Sequence, residues 1–272
     1  MNTQITDSQV TGHRVQVPGA RLYYQTQGSG PGLVLIGGGP ANADTLGPLA
    51  AQLAGRYTVI SYDRRGYSRS ELDDPGEQIG ISRHGDDLRL LIEALGPEPV
   101  AVFGTSFGAL IALDLAASAP EWAGTVVVHE PPLGQLLTGE QRRQFDVNLD
   151  DKPDAGAALA AIATSVGVKR GLDAGGDGTR PEVRRGDIEL FIRRDVPAIG
   201  DYQLDLARLS AMSGRLVVTG SEAGRAFYPY ACAQRLAEVT GAPFVELPGG
   251  HAGMIRQPEE FATVLAGLLR RS

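Results

Sequence analysis

Residues 100–116 read VAVFGTSFGALIALDLA. A short β-branched and aromatic run, PVAVFG, reads as a buried strand. It meets Ser106, set between Gly104 and Gly108, and passes at once into FGALIALDLAASA, an Ala- and Leu-rich stretch of helix length that stops at Pro120. A Gly-x-Ser-x-Gly pattern alone marks little more than a tight turn. A strand before it, a helix after it and no spare residue between them make a sharp bend that lifts the serine hydroxyl out of the backbone, as a nucleophile requires.

The same alternation extends both ways. HRVQVPGARLYYQTQG, with its Pro18-Gly19 centre, predicts a β-hairpin, and GLVLIGG a buried strand ending in glycines. LGPLAAQLAG predicts a helix, YTVISYD a strand, and ISRHGDDLRLLIEALG an amphipathic helix with Leu88, Leu91, Ile92 and Leu95 on one side. GTVVVHE follows the serine helix as another strand. Such alternation predicts an α/β fold with a mostly parallel central sheet flanked by helices.

The rhythm stops after Pro131-Pro132 and resumes with GRLVVTGS, a helix over YPYACAQRLAEVTG, the strand PFVELPGG and a final helix, PEEFATVLAGLLRR. Residues 133–213 hold no convincing strand. They are expected to form a helical cap inserted in a core made of 1–132 and 214–272. The Gly-, Asp- and Arg-rich part near Gly175-Gly176 is expected to be a mobile lid, since it offers little apolar surface to hold it down. The insertion leaves from a carboxyl-terminal strand edge, where ligands bind in such folds.

Composition excludes several classes. The 272 residues carry a net charge of −7, so a nucleic-acid partner is not expected. The N-terminus, MNTQITDSQVTGHRV, lacks the apolar core and basic lead of a signal peptide, and no apolar run has membrane-spanning length. Cys232 is the single cysteine, which leaves no intrachain disulfide and fits a reducing, cytoplasmic setting. Lysine occurs only at 152 and 169, so a lysine base or Schiff base has few places to stand. No paired-Cys or His-Glu-x-x-His spacing suggests a metal, and no Gly-x-Gly-x-x-Gly or phosphate-loop motif suggests a nucleotide, so no cofactor is expected. A small molecule is the expected partner; the sequence leaves the oligomeric state open, with a homodimer as one candidate.

Four strand ends bear chemistry: Gly37-Gly38-Gly39-Pro40, Ser106, Ser221-Glu222 and His251. A serine hydroxyl needs a base, and an imidazole base needs an acid to fix its tautomer and balance its charge. The order Ser106, Glu222, His251 supplies all three. Of the other histidines, His13 and His84 are expected at the surface, and His129, at a strand end beside the site, is a candidate pocket-lining residue. Arg64, Arg65 and Arg69 are expected in a solvated loop.

With GGGP after the third strand, DRRGYSRS after the fourth, GTSFG at the bend and PGGHAGMIRQPEEF near the end, the chain resembles the α/β-hydrolases with a helical cap over nearly its whole length. The resemblance implies a serine nucleophile at Ser106, a base at His251, and an oxyanion hole from the backbone N–H groups of Phe107 and Gly39. The family often reads His-Gly-x-Pro where this chain has Gly37-Gly38-Gly39-Pro40, so the usual side-chain brace of that loop is missing. The acid is expected at Glu222, the only carboxylate in the turn after the strand at 215–219, with no Asp beyond Asp205. Glu130 is its competitor, because capped members such as the haloalkane dehalogenases place the acid after the preceding strand. The implied activity is cofactor-free cleavage of an ester, lactone or thioester of a small, largely apolar substrate. A lyase-type enzyme on the same fold, or a ligand sensor with residual hydrolysis, are the rival readings.

Overall fold

The computed structural model describes residues 9–168 and 183–270; Gly175-Gly176 and the rest of 169–182 lie outside them. The expected hairpin forms from β1 (Thr11–Val17) and β2 (Ala20–Gln27), turning through Gly19 at φ 76°. Then come β3 (Gly32–Ile36), β4 (Thr58–Tyr62), the short β5 (Glu71–Leu72), β6 (Val100–Thr105), β7 (Ala123–His129), β8 (Leu216–Ser221) and β9 (Phe244–Leu247). They make one sheet in the order β1-β2-β4-β3-β6-β7-β8-β9, with β5 added to β2. Pairings of β2 with β1, β4 and β5 are antiparallel, and every pairing from β4 through β3 to β9 is parallel. All the carboxyl ends of that parallel stretch therefore share one edge.

Period-two burial divides the core. Leu33 and Leu35 of β3 join Phe103, Val127 and Val217 beneath α1 (Gly47–Leu53) and, at the other end of the chain, the closing helix Pro258–Leu269. Val34 and Ile36 point the opposite way, with Val102, Val126, Val128 and Val218, against α2 (Ile81–Leu95) and α3 (Phe107–Ser118). Each such aliphatic side chain contributes about 1.5–3 kcal/mol when fully buried. Helix α3 is buried on all sides from Phe107 to Ala116, as a helix central to a layered fold must be. Its polar interruption, Asp114, accepts hydrogen bonds from Ser82 Oγ and Tyr202 Oη, each at 2.9 Å.

Between β7 and β8 the described residues hold helices and no strand: α4 (Gly139–Phe145), α5 (Ala155–Ser165), α6 (Arg185–Leu190), a π-helical turn at Phe191–Asp195, α7 (Val196–Asp201) and α8 (Leu206–Ser210). The chain ends through α9 (Tyr228–Thr240), α10 (Gly253–Arg256) and α11, the Pro258–Leu269 helix. None of the helices among the described residues is long and apolar enough to cross a membrane.

Three sequence expectations fail on burial. Arg64 and Arg65 are 2% and 0% exposed, and His84 is 1% exposed. Arg65 is chelated by Asp87 through two 2.6 Å bonds and reaches Glu77 at 2.8 Å. Arg69, which remains partly exposed, forks onto Asp63. The segment 63–70 is thus an internal ionic junction, because the buried Arg64 and Arg65 find carboxylates on other parts of the fold, Asp195 and Asp87, which makes burial of such charge tolerable. His84 is instead expected to be neutral, since burial pulls its pKa down.

Two glycines let α3 approach β6 and β3. A Cβ at Gly104 would stand 2.4 Å from the Gly108 carbonyl oxygen, and one at Gly108 only 2.3 Å from the Ile36 carbonyl oxygen of β3. Gly108→Ala is therefore expected to cost about 1–3 kcal/mol and lower the thermal midpoint by ~3–10 °C. Gly267→Ala, in α11 with nothing within 4 Å of the added carbon, should leave the midpoint unchanged or raise it. Calorimetry on both variants checks the contrast.

A second expectation concerns His129, which closes β7 at 0% exposure. Burial lowers its pKa from 6.5 to about 4. Between those values the unfolded chain binds a proton that the folded chain refuses, so stability should climb as pH rises from 4 to 6.5. His129→Gln should flatten that climb relative to the parent in urea melts at pH 4.5 and 7.

Candidate active site

Ser106 stands at the junction of β6 and α3 with φ 52° and ψ −120°, outside the ordinary region for a non-glycine residue. It is held there from both sides: its N–H donates to the His129 carbonyl at 2.9 Å, and its own carbonyl accepts from Ala109 N at 2.9 Å. The bend aims the side chain away from the sheet and toward the helical insertion. The next residue, Phe107, opens α3, so its free N–H lies at the positive end of a buried helix.

The glycine loop after β3 passes over this serine. A Cβ on Gly38 would meet Ser106 Cβ at 2.7 Å and the Thr105 carbonyl at 3.0 Å, so only glycine fits. Gly38 O accepts from Ala41 N at 3.1 Å. In a trans peptide the N–H points opposite to its C=O, so this bond turns the Gly39 N–H the other way. Gly39 itself has φ 51°, again in the region that favours glycine.

His251 lies in the loop between β9 and α10, and its ring belongs to the wall of the same cavity as Ser106. Its Nδ1 donates to Glu130 Oε2 at 2.6 Å. An ionised carboxylate can only accept, so the ring proton sits on Nδ1 and Nε2 keeps its lone pair. This is the only side-chain hydrogen bond of His251 among the described residues. Behind it, His129 donates from Nδ1 to Thr219 Oγ1 at 3.0 Å, whose own proton goes to Val128 O at 3.0 Å. The His129 ring lies 6.5 Å from that of His251 and is absent from the cavity wall, so this candidate pocket-lining residue does not line it.

The structure corrects the expected partner of the imidazole. Glu130, one residue past β7, reaches His251; Glu222 does not, and its side chain is exposed at the start of a 3-10 turn. The turn after β8 serves the site differently. Ser221 donates to Glu130 Oε1 through both its N–H, at 2.8 Å, and its Oγ, at 2.5 Å. Gly224 must lack a side chain there, since a Cβ would come within 2.7 Å of the same Oε1. Glu222, the residue after Ser221, faces outward while Glu130 fills the position facing the imidazole. Burial pushes the Glu130 carboxyl up, but the His251 bond, the two imidazoles and Ser221 outweigh it and hold it at about 2. The strained backbone of Glu130, at φ 49°, supports this carboxylate against β8.

A cavity of about 520 Å³ opens over Ser106, Gly38, Gly39 and His251. The insertion supplies much of its wall, with Phe145, Leu159, Ile162, Val166, Phe191 and Ile199, and α9 adds Tyr228. Asp146 is the one acidic residue along it among the described residues, and its carboxylate accepts from Arg142 Nε at 2.8 Å. No group of three or more His, Cys, Asp or Glu side chains gathers to hold a metal among those residues.

Comparison with known proteins agrees with this architecture. The hydrolase YraK of Bacillus subtilis, itself named as uncharacterized, is 34% identical over 94% of this chain and 95% of its own. Pyrrolizixenacetamide deacetylase of Xenorhabdus hominickii is 26% identical over 94% and 97%. Among solved structures, an alpha/beta hydrolase of Sphaerobacter thermophilus superposes with a TM-score of 0.71 at 28% identity, covering 94% of this chain and 99% of that one. The profile of the Alpha/beta hydrolase family matches residues 33–264, and with the parallel sheet, the bend at Ser106 and a curated hydrolase relative along nearly its full length, this chain belongs to the α/β-hydrolase family.

Proposed function

We propose that the protein is a serine hydrolase acting on an ester, lactone or thioester of a small, largely apolar compound, with Ser106 as nucleophile, His251 as base and Glu130 as the acid that orients it. The observation that carries this reading is the convergence of a strained Ser106 and a Glu130-anchored His251 on one apolar cavity. Residues 133–213 act as a cap that selects the substrate. The relative named a deacetylase supports acyl transfer as the chemistry of this scaffold.

The sequence of events is set by the groups available. Ser106 Oγ attacks the carbonyl carbon while its proton passes to His251 Nε2. The carbonyl oxygen takes the negative charge and accepts hydrogen bonds from the N–H groups of Phe107 and Gly39. Collapse breaks the bond to the leaving oxygen or sulfur, which departs with the proton from Nε2. A water then gives a proton to Nε2 and attacks the acyl-enzyme, and Ser106 leaves with that proton restored. The hydrogen bond between a serine nucleophile and its base commonly forms fully only once substrate is bound. Glu130 stays ionised throughout, ready to balance the imidazolium.

Ser106→Ala should keep the fold and abolish covalent labelling by a fluorophosphonate, read by mass spectrometry. A stable variant that still labels elsewhere and turns over a p-nitrophenyl ester at the parent rate defeats the assignment. Stoichiometric binding with no turnover by the parent points instead to a sensor.

Glu130→Gln should cut turnover by about 10³–10⁴-fold, because a neutral amide cannot balance the imidazolium and can select the wrong tautomer. Glu222→Gln, at an exposed position, should stay within about twofold of the parent. Steady-state kinetics at equal thermal stability decides between the two carboxylates. Equal or reversed losses reject Glu130.

A further inference from the structure

The Gly37-Gly38-Gly39 loop carries one of the two proposed oxyanion donors and has no side chain of its own. Three successive glycines flip between peptide orientations at little cost, so something outside the loop must hold it. Among the described residues, Arg64 is the side chain that hydrogen-bonds its carbonyls. Its Nη2 donates to Gly39 O at 2.7 Å, and its Nη1 makes a longer contact to Gly37 O at 3.5 Å. The peptide between Gly38 and Gly39 is therefore fastened on both flanks.

The same guanidinium lies over the ring of Phe107, 4.5 Å from its centroid, and over Tyr67 at 4.2 Å. Phe107 is the residue whose N–H is the other proposed donor. One buried cation thus contacts both carriers of the oxyanion hole, although it does not line the cavity itself. It has no access to substrate and cannot serve as an anion clamp.

Its counter-charge comes from the insertion. Asp195 Oδ2 accepts from Arg64 Nη2 at 3.0 Å and from Tyr67 Oη at 2.6 Å, and Asp195 is 0% exposed. Asp195 ends the π-helical turn 191–195, and Phe191, at its start, packs edge-on against Phe107 with centroids 6.1 Å apart while lining the cavity. A π-helical turn shifts the register of the residues after it. Here one turn presents an aromatic wall to the cavity and a carboxylate to the core. Next to it, Asp187 of α6 accepts from Ser68 N at 2.9 Å, and Arg194 Nη2 donates to Arg65 O at 3.0 Å. The insertion is consequently seated on the segment 63–70 by buried polar contacts, and Arg64 passes that seating to the glycine loop.

We propose that Arg64 is a positioning residue for both halves of the oxyanion hole, and that Asp195 makes its placement depend on the seated cap. This rests on the serine-hydrolase reading. It assigns to Arg64 the brace that Gly37 cannot supply. A lysine cannot replace it, since a single ammonium lacks the planar fork that spans two carbonyls and the flat face that stacks on Phe107.

The test uses the full-length protein with Arg64→Lys, Arg64→Met and Asp195→Asn, each measured for thermal midpoint, for KM and kcat on a p-nitrophenyl ester, and for affinity toward an apolar trifluoromethyl ketone. That ketone adds to Ser106 and presents an oxyanion, so its binding reads the hole directly. Arg64→Met should lose about 10²–10³-fold in kcat and a comparable factor in ketone affinity, with KM moving by less than about threefold. Arg64→Lys should recover little of this, and Asp195→Asn should show the same pattern at about a tenth of the size. Asp195→Asn preserves shape and decides the matter if Arg64→Met does not fold. A loss confined to KM, or a kcat within about threefold of the parent in a folded variant, overturns the proposal. A parent without Ser106-dependent turnover removes the hydrolase reading as well, whereas an active parent with indifferent Arg64 variants removes this inference alone.

Discussion

The site depends on a backbone contact too close for any side chain. Where β3, β6 and α3 meet, a Cβ at Gly104, Gly108 or Gly38 would fall between 2.3 and 2.7 Å of a neighbouring atom. Those three absences let the helix start directly on the strand and let the glycine loop lie over Ser106. The positive φ of Ser106 is the consequence, for a chain that turns from strand to helix with no intervening residue has few other conformations available. Strain of this kind persists only where the surroundings are rigid, and the surroundings here are the centre of the parallel sheet, with Val102, Phe103 and all of early α3 sealed from solvent.

Around this apolar centre the polar groups are arranged as compensated pairs. Glu130 has His251 on one oxygen and two Ser221 donors on the other. Asp195 has Arg64 and Tyr67, and Asp87 chelates Arg65. Removing either member of such a pair leaves an uncompensated buried charge, which is far more costly than the net gain from forming the pair. The pairs therefore specify geometry more than they add stability. Each joins segments distant in the chain: β7 to the β9–α10 loop, the segment after β4 to the insertion, and that same segment to α2.

The apolar cavity completes the electrostatic picture. With few polar groups in its wall, charge developing beside Ser106 in the proposed reaction would be poorly screened, and the N–H dipoles proposed at the start of α3 and in the glycine loop would act with correspondingly greater effect. The insertion shapes this environment twice, through the side chains it adds to the wall and through Asp195, which reaches beneath the wall to the core.

The sequence by itself determined the α/β alternation, the hairpin at the N-terminus, the suspended rhythm over 133–213, and Ser106 and His251 at the ends of strands. Period-two and helical patterns are local, and the glycines flanking Ser106 mark a bend whose stereochemistry is local too. Only the tertiary structure decided which carboxylate meets His251. Glu130 and Glu222 both come after strands that end on the same edge, and nothing in either short stretch records that Ser221 turns inward to hold Glu130 while the next residue turns out. The same holds for DRRGYSRS: a cluster of arginines reads as solvated until Asp87 and Asp195, from a helix before and an insertion far after Ser106, are brought against Arg65 and Arg64. Charge is buried according to partners, and partners distant in sequence exist only once the chain has folded.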